Sequence, residues 1–74
     1  DEFIKYRCDI KDNQPPILFL KSKRTNRWWM QIEHPSNPTK ENLQITIPCS
    51  YLDYQIAANC ELPERYMNAI KRLQ

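Results

Sequence analysis

Seventy-four residues, 41% hydrophobic and 27% charged, make one small globular domain and not a disordered segment, with a core only marginally sufficient for its size. The net charge of +2 is too small to imply nucleic acid by itself, yet residues 21–27 hold +4 and leave −2 for the rest. Glycine is absent, where usage of roughly 7% would give about five, and this excludes the phosphate-cradling loops of P-loop and dinucleotide-binding proteins.

Residues 3–10 alternate, with Ile4, Tyr6, Cys8 and Ile10 on one side and Phe3, Lys5, Arg7 and Asp9 on the other, which predicts a half-buried strand. A turn over 12–16 ends on Pro15-Pro16. Ile17 to Lys21 then forms a second strand, apolar on both faces and so expected at a central position. Lys23 to Asn26 has hairpin length and turn chemistry, with Asn26 able to take a positive φ. The third strand, Arg27 to Glu33, carries both tryptophans side by side, so they must point to opposite faces. Trp28, Met30 and Ile32 are expected in the core. Trp29, on the other face with Gln31 and Glu33, has to be covered by a helix, by basic stems or by another protein.

His34 to Asn42 reads as a polar loop bearing two prolines. Leu43, Ile45 and Ile47 alternate with Gln44 and Thr46 as a fourth strand that Pro48 closes. Ser50 followed by Asp53 is a helix start of capping-box type, and the first helix is expected from Tyr51 to about Asn59, with Leu52, Ile56 and either Tyr51 or Ala58 inward. Pro63 and Glu64 suit the first turn of a second helix whose apolar stripe is Tyr66, Met67, Ile70 and Leu73, with Lys71 and Arg72 at its negative end. The expected fold is α+β: an antiparallel meander of four strands followed by two short helices on one face, ββββαα.

Chemistry-bearing residues are sparse. Cys8, Cys49 and Cys60 are an odd set without a local pair and read as reduced cysteines of a cytoplasmic protein. No C-x-x-C or H-x-x-x-H pair supports zinc, so no metal or cofactor is expected in this segment. His34 is the only histidine, and no third group can be named to orient a Cys49–His34 pair. Asp53, Glu61 and Glu64 fall at helix ends, where capping accounts for them. The segment is therefore expected to be non-catalytic, and no stretch has the apolar length of a membrane span. The basic hairpin offers a candidate partner surface of Lys21, Lys23, Arg24, Arg27 and Trp29. It suits a protein contact or, alternatively, a single-stranded nucleic acid, with bases on Trp29 and phosphates on the four cations.

The strings Phe19-Leu20-Lys21-Ser22, Asn26-Arg27-Trp28-Trp29-Met30-Gln31-Ile32, Ile47-Pro48-Cys49-Ser50-Tyr51-Leu52-Asp53-Tyr54 and Glu61-Leu62-Pro63-Glu64-Arg65 resemble the C-terminal extension of bacterial arginase-like ureohydrolases, the formimidoylglutamase and agmatinase relatives. The family pattern has Tyr where this chain has Leu20, Glu at Gln31 and Ile at Leu62. The resemblance covers residues 3–73. It implies that residues 1–74, which begin at Asp1 in place of methionine, are an excised C-terminal domain of a longer chain. The implied parent domain holds two manganese ions and hydrolyses a guanidino or formimino group. None of its Asp- and His-rich ligand motifs occurs here, so no catalytic residue carries over. What the resemblance implies for this segment is an accessory role, stabilising or assembling the parent enzyme by contact with the parent domain or by self-association.

Overall fold

A computed structural model describes residues 2–11, 14–33 and 44–73. Four strands, β1 (Phe3–Cys8), β2 (Ile17–Ser22), β3 (Trp28–Glu33) and β4 (Gln44–Cys49), precede two helices, α1 (Tyr51–Ala58) and α2 (Glu64–Leu73). The sheet order is β1-β2-β3-β4, every pair antiparallel, so the chain is the expected α+β meander with its helices last. The loop His34 to Asn42, the strand start at Leu43, part of the 12–16 turn and the Leu73 side chain lie outside the described residues.

The registers align two sets of side chains. On one face, Tyr6, Phe19, Met30 and Ile47 form a row, and Lys21, Trp28 and Cys49 form another. On the opposite face the row is Lys5, Leu20, Trp29 and Pro48. Strand alternation then dictates which row meets the helices. The buried cluster comprises Cys8, Ile17, Phe19, Met30 and Ile32 from the sheet with Ala57, Tyr66 and Ala69 from the helices, so both helices cover the Phe19–Met30 face. Burying an aliphatic or aromatic side chain of this size contributes about 1.5–3 kcal/mol, which makes these few residues the main source of stability.

Local chemistry sets the boundaries. Asn26 takes φ 60 in the β2–β3 hairpin, the left-handed conformation its short polar side chain tolerates, and its N–H donates to the Ser22 carbonyl at 2.9 Å. Pro48 lies on β4, an edge strand, which tolerates a residue without a donor because that position can face away from the ladder. At the start of α1 the Asp53 carboxylate accepts from the Ser50 N–H at 2.9 Å and from the Ser50 hydroxyl at 3.1 Å. Cys60 ends α1 with φ 62, its N–H on the Ala57 carbonyl and the Glu61 N–H on the Ile56 carbonyl. This is the Schellman pattern, with cysteine in the place glycine usually fills.

Two helix faces differ from expectation. Leu52 is 61% exposed and Tyr51 53%, while Ala57 is buried and Tyr54 packs against the core. Ala58 is also exposed. On α2, Met67 is exposed and Ala69 takes an inward place beside Tyr66 and Ile70. In both helices a small alanine belongs to the buried cluster while a larger apolar neighbour, Leu52 or Met67, is turned outward. Trp28 is also less deep than expected. It is half-buried and packs against the margin of the core, not inside it.

Candidate functional site

The five residues of the candidate partner surface do not form one site. Trp29 lies on the face away from the helices, half-buried between Leu20 and Pro48 on the flanking strands. Lys21 pairs with Trp28 across β2 and β3 and holds its ammonium 5.9 Å from the centre of the Trp28 ring, on the helix side. Lys21 therefore cannot serve a ligand stacked on Trp29. The continuous apolar run before Lys21 conceals its parity, and only the hairpin register reveals it. Lys23 and Arg24 are exposed in the turn, and Arg27 is exposed just before β3. Lys23 reaches the Glu2 carboxylate at 3.1 Å, an exposed pair worth about 0–1 kcal/mol.

What remains around Trp29 is an apolar strip. Leu18, Leu20 and Trp29 are half-buried, Pro48 is exposed, and Phe3 is 41% exposed on the same side. None of these five belongs to the core cluster or packs against it. Lys5 and Arg7 flank the strip from β1.

Around Trp28 the sequence reading missed a second feature. The Trp28 ring stacks on Tyr6 (5.5 Å, 26°) and on Tyr54 (5.2 Å, 22°) and meets Tyr51 at 5.5 Å. Tyr6 and Tyr54 lie 5.0 Å apart. With Lys21 and Asn26 these rings line an open cleft between the β2–β3 hairpin and the start of α1. The signal was available in part, since Tyr6 shares the parity of the core face and Tyr51 and Tyr54 stand three apart on one helix.

A polar groove between β4 and α2 is organised by Arg65. Its Nε sits 3.4 Å from Asp53 and its Nη1 donates to the Pro48 carbonyl at 3.2 Å, tying α2 to the end of β4 and the start of α1. Burial and the Asp53 charge push the Cys49 thiol up to about 11, against a smaller opposing pull from Arg65. Burial, Asp9 and Cys60 likewise raise Cys8, and burial raises Tyr66, whose hydroxyl has no hydrogen-bond partner among the described residues. Buried protonated thiols are poor nucleophiles. Among the described residues no group of three or more His, Cys, Asp and Glu could hold a metal ion, and no helix is long and apolar enough to cross a membrane.

No family model, no curated protein and no solved structure matches this chain.

Proposed function

We propose that this chain is a non-catalytic interaction domain, and that the Trp29 face of its sheet seats on the surface of a larger enzyme that it stabilises or helps to assemble. The observation that carries this reading is the strip of Phe3, Leu18, Leu20, Trp29 and Pro48, which the chain's own helices leave uncovered. A tryptophan framed by aliphatic neighbours and flanked by Lys5 and Arg7 has the composition of an interface anchor with a charged rim. The resemblance to the C-terminal extension of arginase-like ureohydrolases supplies the kind of enzyme. On that reading the manganese site and the hydrolytic residues belong to the parent domain, and the compartment is the cytoplasm.

The test uses the full gene product that contains this segment. Trp29→Ser is expected to lower its melting temperature or shift its assembly state in sedimentation, with turnover per folded active site unchanged. A gene without a hydrolase domain, or a full-length variant indistinguishable from wild type, overturns the reading. The 74-residue segment run alone separates self-association from contact with the parent domain.

A further inference from the structure

The aromatic cleft lies at the same end of the sheet as the basic hairpin, and this juxtaposition does not involve the Trp29 strip. Lys21, Asn26 and Trp28 line it from the hairpin, Tyr6 from β1, and Tyr51 and Tyr54 from α1. Lys23, Arg24 and Arg27 follow within the same seven-residue stretch as Lys21. Glu2 is paired with Lys23, and Asp53 is turned toward Ser50 and Arg65. The end of the molecule that carries the cleft is therefore locally cationic. Tyr51 is 53% exposed, so one aromatic ring is open to solvent in a cleft that Lys21 also lines.

We propose that this cleft binds single-stranded nucleic acid, with a base stacked on Tyr51 against the Trp28 cluster and the flanking phosphates on the hairpin cations. Three observations select this occupant. The rings offer π faces that any base can use, and sequence-tolerant stacking of this kind is the usual attachment of single strands. The charge beside them is a run along one hairpin, which matches a repeating polyanion better than a single carboxylate. Lys21 already occupies the cation position over Trp28, at 5.9 Å, so a quaternary or methylated ammonium ligand would meet like charge. Thus the stacking platform is Tyr51, backed by Trp28 on the helix side, and Trp29 takes no part.

The experiment measures fluorescence anisotropy of a labelled oligothymidylate of about twelve nucleotides, within the usual range of site sizes. Binding is expected at low salt, with log K falling against log salt at a slope of about −1.4 for two phosphate contacts, at Lys21 and Arg27. Tyr51→Ala should weaken it roughly 5- to 150-fold, the range for loss of one stacked base. Tyr51→Phe should restore it, and Trp29→Ser should leave it unchanged. Tyr51 is half exposed, so circular dichroism is expected to show each of its variants folded. No binding at low salt overturns the proposal. So does affinity indifferent to Tyr51→Ala, which would indicate charge attraction alone, or equal competition by poly-glutamate, which would indicate an acidic protein partner. Competition by a mononucleotide at the same concentration would assign the cleft to a free nucleotide and overturn the strand.

Discussion

Replacing Phe19 with alanine is the most direct test of the core. Phe19 is fully buried at the middle of β2, in register with Tyr6 and Met30, and its ring meets Tyr54 edge-on at 5.5 Å and 74°. Truncating a buried phenylalanine costs about 3–5 kcal/mol, the lost transfer free energy plus that of the cavity. At about 0.05–0.15 kcal/mol per residue the whole domain is held by roughly 4–11 kcal/mol, so this one change removes a large share. With a urea slope of about 1–1.5 kcal/mol/M, the midpoint should fall by roughly 2–5 M. Urea titration followed by tryptophan fluorescence and far-UV circular dichroism measures it, with Leu52→Ala as control. Leu52 is 61% exposed, and its truncation should stay within about 0.5 kcal/mol of wild type. A Phe19→Ala midpoint shift below about 1 M at unchanged slope, or a Leu52→Ala loss as large as that of Phe19, would refute this account of which face is buried.

Two further perturbations probe the hairpin and the thiol. Because Asn26 sits at φ 60, Asn26→Val should destabilise by about 1–2 kcal/mol while Asn26→Gly is neutral or slightly stabilising, and equal effects of the two would contradict the turn geometry. Cys49 ionises at about 11 in the folded protein against 9.0 for a free thiol. The folded state thus keeps this proton to higher pH than the unfolded chain, so stability is fully present below pH 9 and declines as pH rises from there toward 11. Cys49→Ala should show a shallower decline than wild type in urea midpoints compared between neutral and alkaline pH. Parallel declines in the two proteins would mean that Cys49 is not the group responsible.

The meander was legible because each strand carries its own period-two signal or turn chemistry: Ile4 to Ile10 alternates, Asn26 marks the hairpin, and Ile45 and Ile47 alternate with Thr46 in β4, which runs one residue past Pro48 to Cys49. The helix start at Ser50 and Asp53 was legible for the same reason, since capping is decided within four residues. Helix faces were not. Leu52 outranks Ala57 as an apolar residue, yet the rotation of the helix on the sheet decides which of them is buried, and that is a property of the packed pair of layers. The site failed where parity was hidden. Lys21 follows four apolar residues in a row, so nothing local says which face it takes, and the grouping of Lys21 with Trp29 did not survive the register. Tyr6 lies far in sequence from Tyr51 and Tyr54, and their convergence on Trp28 needs both the strand order and the path of α1.

The two outer strands of the sheet are not equivalent, and this bears on symmetry. β4 carries Pro48 one residue before its end and lacks a donor there, whereas β1 presents an uninterrupted run from Phe3 to Cys8. A chain able to add strands at both edges can grow head to tail into an open filament. Among the described residues the β1 edge is the one without a proline, so a pairing of copies through that edge would set β1 against β1. Such a pairing is two-fold and self-limiting, and it stops at an eight-stranded dimer (two copies of the four-stranded sheet). The proline near the end of the last strand thus also weakens the second edge of the sheet as a place to add strands.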